Sequence, residues 1–399
     1  MAQALRGEVV ARPRPEAGAP PRIAASAARV PQLPALTGLR FVAALGIVVF
    51  HFGAVQVTAP VGLLAVVQQL AQRVAAYGLI GVNCFFILSG FVLAYTYIDR
   101  TGRRRGSPRT FWVARLARIY PAYLVGMGLA CGPLLWYHDA PTQRLLRLAF
   151  VPVLTLMQAW VPALANTWNP PGWSLSAEAF FYLVFPLLAV PLGRLGRPRL
   201  CALLAALWAA LLLAPVALLL LVPPAARAPG SYWEQIVSYE PLLRLPEFLL
   251  GVTLGRLFVL SPTPLPRARA APLAAAAAGA LALALLVAPH LPFLLVHLGL
   301  FDPLFAALIY GLACQRGRLS ALLSRPAMLL LGEASYGIYI LHAPIWAWLT
   351  HLTGRPPAAL ALPYFLAYVV LLSALAVLSL RFVETPARRL IRRRFAAGA

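Results

Sequence analysis

Apolar runs long enough to cross a bilayer core of about 30 Å as helices recur from Leu36 almost to the C-terminus. They fall at Leu36–Val57, Gly78–Ile98, Ile119–Tyr137, Ser174–Leu192, Leu200–Val222, Leu242–Leu260, Ala270–Ala288, Leu291–Ala313, Ala327–Thr350 and Ala361–Phe382. The pattern predicts an all-α fold, a polytopic integral membrane helix bundle of about ten transmembrane helices. A further stretch, Leu145–Leu164, is ambiguous, and Pro152 and Pro162 inside it argue against a regular span.

Polar positions inside the runs carry the next information. The first run, LTGLRFVAALGIVVFHFGAVQV, contains Arg40 and His51. At about 100° per residue, their spacing returns them to within about 20° on one α-helical face, roughly 16 Å apart along the axis. Ionisable side chains are costly in a membrane and usually face a bundle interior or a watery cavity, so this face is the first candidate site.

Composition agrees with the pattern: 61% of residues are hydrophobic and 11% charged. The formal net charge of +23 comes from arginine alone, since the sequence has no lysine. Arginines between apolar spans are what cytoplasmic loops of membrane proteins carry, which makes nucleic acid a poor partner and membrane lipid the expected surroundings. Cys84, Cys131, Cys201 and Cys314 stand singly, without the paired spacing of a metal site or disulfide framework; they read as free thiols, and no metal is expected.

The arginines also orient the chain. The loop with Arg100, Arg103, Arg104, Arg105, Arg109, Arg115 and Arg118 is cytoplasmic by the charge rule. If Leu145–Leu164 lies along the outer interface, the same side collects Arg194, Arg197, Arg199, Arg267, Arg269, Arg316, Arg318, Arg325 and the cluster from Arg388 to Arg394. Outer loops then keep Arg73, Arg144, Arg147, Arg227 and Arg355. The expectation is a multi-pass protein of the cell (inner or plasma) membrane with both termini cytoplasmic. It has a disordered basic tail at 1–35, a membrane domain at 36–386 and a basic tail at 387–399. In this orientation Arg40 sits near the inner surface, while His51, Asn83, Glu178 and His342 come to similar depths near the middle.

Several ordered motifs resemble the membrane acyltransferase-3 family: Arg40 and His51, then CFFILSG, RLAR at Arg115–Arg118, GWSLSAE, and SYGIYILHAPIW. The resemblance runs from Leu36 to about Pro386. It implies transfer of an acyl group, acetyl foremost, from acyl-CoA as co-substrate to a hydroxyl of a sugar, an envelope glycan or a glycosylated metabolite. Carried over by position, Arg40 and His51 match the family's Arg and essential His. Arg115 and Arg118 match its RxxR pair, and Ser89 and Gly90 match its FFxxSG element. Asn83 departs from the pattern, standing where many members have an acidic residue. No hydrolase-like domain follows Pro386, as it does in some longer members.

The residue types suit that chemistry. An alcohol needs a base near neutrality to become a nucleophile, and imidazole supplies one, so His51 is the candidate base. Glu178, by depth, is the candidate carboxylate to orient it. Planar guanidinium groups pair with phosphate, which makes Arg115 and Arg118 candidates for the charged end of acyl-CoA, with Arg40 and Ser89 along the way to His51. Asn83 and His342 are candidate contacts to substrate or to a developing oxyanion. Each has a plainer reading: Arg40 snorkelling, the RxxR pair as topology anchors, and Glu178 at its own helix start. Arg244 and Glu247, three apart, read as an ion pair within one helix. The alternative function is a transporter or flippase, since buried charges also mark transport paths; the absence of an evident internal repeat disfavours it.

Overall fold

The structure, a computed structural model, describes residues 30–53, 77–136, 139–228, 230–261, 266–357 and 360–396. The tail expected at 1–35 lies outside them as far as residue 29, as do the last four residues of the first expected span. The described residues from Leu33 onward form one compact unit.

The described residues are helical, with short turns between the helices. The principal helices are α1 (Pro34–Val48), α2 (Gly81–Tyr97), α3 (Pro108–Leu134), α4 (Ala140–Leu154), α5 (Gly172–Gly193) and α6 (Arg197–Leu221). They continue with α7 (Pro241–Leu260), α8 (Arg267–Val287), α9 (Asp302–Ala313), α10 (Ser335–Thr353), α11 (Ala361–Ser379) and α12 (Thr385–Ala396).

Among the described residues, seven helices are long and apolar enough to cross a membrane, or eight if Pro326–Glu333 and α10, bent by 61° at their junction, count as one span. That is fewer than the expected ten. Two expected spans, α3 and α7, are 27 and 20 residues long but are interrupted by charge and proline. α7 carries Arg244, Glu247 and Arg256 as well as Pro246, and α3 carries Arg109, Arg115, Arg118 and Pro121. The ambiguous stretch is not among the candidate spans. α4 has 15 residues, about 22 Å of helix, and gives way to 3-10 turns at Gln158–Trp160 and Pro162–Leu164.

Two boundaries differ from the sequence reading. α3 begins eleven residues before Ile119, because Ser107 caps it by accepting from the Thr110 amide at 3.2 Å and Pro108 occupies the first turn. The segment read as a C-terminal tail is helix α12 as far as Ala396, and it packs on α3.

α1 lies between two apolar clusters. Ala44, Ile47 and Val48 pack into one with α3, α5 and α10, and Leu36, Leu39 and Ala43 into the other with α2 and α9. The most extensive helix pair is α2 with α7. There, a Cβ on Gly90 would lie 2.1 Å from the Phe248 carbonyl oxygen, and one on Gly251 would lie 2.0 Å from that of Ile87. Glycine is required at both positions because the two backbones touch. Helices in lipid associate through such close packing, having no hydrophobic drive toward one another. The Ser-Gly of CFFILSG thus has two jobs: Gly90 admits α7, and Ser89 reaches the site.

Candidate active site

Three adjoining cavities hold four of the candidate residues, Arg40, His51, Arg118 and Glu178. The middle one, about 40 Å³, is walled by Arg40 of α1, Arg118 of α3, Ser174 and Glu178 of α5, and Tyr336 and Tyr339 of α10. Arg40, Arg118 and Tyr336 also border a cavity of about 290 Å³ at one end, where Glu333, Glu384 and Arg388 join them. Tyr339 borders the third, of about 410 Å³, which holds His51. The series therefore has an arginine end and a histidine end.

His51 does not sit on a plain α-helix. α1 passes into a π-helical turn at Val49–Gly53, one of two such turns among the described residues. The wider turn breaks the 3.6-residue period that placed His51 above Arg40, and turns of this kind are frequent at functional sites. His51 Nδ1 bonds the Ile47 carbonyl oxygen at 2.9 Å. A carbonyl only accepts, so Nδ1 carries the proton and Nε2 of the neutral ring keeps a lone pair. The partner expected for His51 was Glu178; the structure gives the orienting contact to a backbone carbonyl instead. The ring lies 5.0 Å from the His342 ring, centroid to centroid, and 5.0 Å from that of Phe50.

His342 is fully buried on α10. Its Nδ1 bonds the Tyr339 carbonyl oxygen, and its Nε2 is buried without a hydrogen-bond partner. By the same logic that Nε2 carries a lone pair, so it can accept but not donate in the contact to substrate or to a developing oxyanion expected of His342. Sequence depth brought these two histidines to one level, and the structure brings their rings together.

Glu178 serves the middle cavity. Its carboxylate accepts from Ser89 Oγ at 3.1 Å and from the Tyr182 hydroxyl. Ser89 is therefore tied to Glu178. The RxxR pair divides: Arg118 lines two cavities, whereas Arg115 stacks over the rings of Tyr97, Phe111 and Tyr182 at 5.7 to 5.9 Å. Tyr182, beneath Arg115, in turn donates to Glu178.

Asn83 is placed elsewhere. Its Nδ2 donates to Asp302 Oδ1 and its Oδ1 accepts from Arg244 Nη2, both at 3.1 Å, in a buried cluster on α2, α7 and α9. The structure commits its amide to that cluster rather than presenting it to His51. Sequence reading missed Ser174 and Tyr339, whose hydroxyls bond each other at 2.7 Å on the wall of the middle cavity, Tyr339 also bordering the histidine end. The signal for Tyr339 lay in SYGIYILHAPIW, where Tyr339 stands three residues before His342 on the same helix face. Arg388 was read as part of a tail.

The profile of a family described as "Acyltransferase domain", the acyltransferase-3 family, matches residues 33–381, nearly all of the chain. The chain belongs to this family. Its apolar helices make it a multi-pass membrane protein. It is similar to the acyltransferase MdmB of Streptomyces mycarofaciens, at 34% identity over 57% of this chain and 58% of that protein. It also matches the O-acetyltransferase OatA of Staphylococcus aureus, at 25% identity over 90% of this chain and 57% of the relative. A third acyltransferase relative, YrhL of Bacillus subtilis, provisionally named a peptidoglycan O-acetyltransferase, is 27% identical over 89% of this chain and 55% of its own length. The chain thus matches little more than half the length of these relatives. No solved structure matches it.

Proposed function

We propose that this acyltransferase moves an acyl group, acetyl foremost, from acyl-CoA to a hydroxyl of a carbohydrate or glycosylated metabolite, with His51 as general base. The observation that carries the reading is the cavity series, with guanidinium groups at one end and an imidazole bearing a free Nε2 at the other. The names of OatA and YrhL, which specify O-acetyl transfer and, for YrhL, peptidoglycan, support an acetyl group and a glycan acceptor.

His51 Nε2 takes the proton of the acceptor hydroxyl as its oxygen bonds to the thioester carbonyl carbon. The tetrahedral intermediate then collapses by breaking the carbon–sulfur bond. The proton passes to the departing thiolate, leaving an ester and free CoA. Glu178, held by Ser89 and Tyr182, balances the charge of Arg40 and Arg118 along the middle cavity.

The testing experiment is thiol release. Purified protein given acetyl-CoA and a panel of glycan acceptors, muropeptides included, is expected to liberate free CoA in step with acceptor ester. Uptake or flipping of a glycan with no thiol released for any acceptor would replace this reading with transport. The arginine distribution supports both termini, and the arginine end of the cavities, on the cytoplasmic side where acyl-CoA is made. A reporter fused after Gly196 is accordingly expected to report a cytoplasmic position, and an external signal would invert the topology.

A further inference from the structure

We infer that Arg388, on the C-terminal helix, is a ligand for the phosphate groups of the acyl donor, completing with Arg40 and Arg118 a three-guanidinium pocket at the arginine end. The inference rests on the acyl-CoA reading above and assigns a residue that neither motif spacing nor the family match includes, since the match ends at residue 381.

The geometry begins with the second π-helical turn, Leu380–Glu384, which joins α11 to α12. Like the turn at His51, it resets the side-chain register, here just before Arg388. The two π turns stand at opposite ends of the cavity series: His51 lines the histidine end, and Glu384 lines the arginine end. α12 packs on α3, which carries Arg118. Arg40, Arg118 and Arg388 therefore border one cavity of about 290 Å³, although they come from the beginning, the first third and the end of the chain.

The charges there are incompletely matched. Three arginines and two carboxylates, Glu333 and Glu384, border this cavity, and Glu178 meets Arg40 and Arg118 only from the adjoining one. Arg388 Nη2 lies 3.9 Å from Glu384 Oε2, at the outer limit of an ion pair. Arg40 Nε and Arg388 Nε are both buried without a hydrogen-bond partner, and so is Glu384 Oε1. Buried guanidinium N–H groups without acceptors are costly, and anionic oxygens placed among them would satisfy both donors. A ligand with several phosphate charges fits, because each phosphate offers the paired acceptors that a guanidinium fork takes. Glu384 then holds Arg388 in place until the phosphate displaces it. Arg115 is excluded from the same part by its stacking on Tyr97, Phe111 and Tyr182.

The same chemistry could come from an anionic lipid headgroup, so the test separates the two sources. Acetyl-CoA kinetics are measured in lipid-free detergent and in nanodiscs of neutral and of anionic phospholipid, for wild type, Arg388→Ala, Arg388→Lys and Arg389→Ala. Arg389 is exposed on the same helix and does not border the cavity, so its variant removes an equal charge as a control. In detergent, Arg388→Ala is expected to raise the KM for acetyl-CoA and the inhibition constant of free CoA about 10- to 100-fold, with kcat changed much less. Arg388→Lys, which keeps the charge and should preserve folding, is expected to lie between Ala and wild type. Arg388→Ala with wild-type donor KM in detergent, or an effect confined to anionic nanodiscs, would overturn the inference while leaving thiol release intact. An equal rise for Arg389→Ala would do the same, reducing the effect to net charge. Wild type that releases no CoA would instead remove the underlying reading.

Discussion

His51→Ala is expected to lower the rate of acyl transfer by about 10² to 10⁴ while leaving an inserted, folded protein, the loss typical of removing a general base. The ring makes one hydrogen bond, to the Ile47 carbonyl oxygen, and otherwise touches Phe50, Phe52 and His342 at the edge of a cavity. Donor binding should survive, because the arginine end is built from Arg40, Arg118 and Arg388, with the middle cavity between it and His51. Acetyl-CoA kinetics on detergent-purified protein, with thermal stability as the folding control, would show kcat falling and donor KM nearly constant. Wild-type turnover in the variant would remove His51 from the chemistry. Radiolabelled acetyl-CoA adds a second discrimination: label retained on wild-type protein without acceptor, and absent from His51→Ala, would convert the single-step transfer into one through an acyl-imidazole.

How this site was legible follows from what each kind of sequence signal measures. Hydrophobic run length serves as a measure of depth along the membrane normal, and it put at one level His51 and His342, whose rings lie 5.0 Å apart. Depth carries no azimuth. Glu178 shares that level by the same count, yet α5 turns its carboxylate toward Ser89, Tyr182 and the arginines, away from the His51 ring. Helical phase does supply azimuth, but only while the period holds, and the π turn at Val49–Gly53 interrupts it just where it was being used. No residue type marks a π turn as Pro108 and Ser107 mark the start of α3.

The remaining differences have the same origin. Segments rich in arginine were read by charge alone, so 387–399 became a tail, although Leu390 and Phe395 already alternate with arginines in a helical pattern. α12 packs on α3, and the resulting convergence of Arg40, Arg118 and Arg388 depends on contacts across almost the whole chain. Asn83 is the opposite case. A polar residue at membrane depth was read as a contact to substrate or oxyanion, but its partners lie 161 and 219 residues away, a separation no local pattern encodes.

That buried cluster supports the other large effect: Arg244→Ala should destabilise the fold by about 3–5 kcal/mol, the cost typical of removing one member of a buried ion pair. Arg244 and Glu247 pair at 3.2 Å with both side chains fully buried, as their spacing on one helix suggested. Arg244 also donates to Asn83 Oδ1 and to the His297 carbonyl oxygen, and its guanidinium lies 5.6 Å from the ring centres of Phe86 and Trp173. Asp302, held through Asn83, is the second carboxylate of the group and is equally buried. One cation therefore answers two carboxylates. Removing it strands both in a medium where an unpaired charge costs most, whereas Glu247→Gln leaves Arg244 with Asn83, the carbonyl and Asp302. The expected order of melting temperature in detergent is wild type, then Glu247→Gln, then Arg244→Ala far below. Because Asn83 and Arg244 tie α2 to α7 beside the Gly90 contact, the loss should appear as failure to accumulate folded protein rather than as a selective loss of transfer. Arg244→Ala that melts like wild type but is inactive would instead move the cluster from scaffold to chemistry.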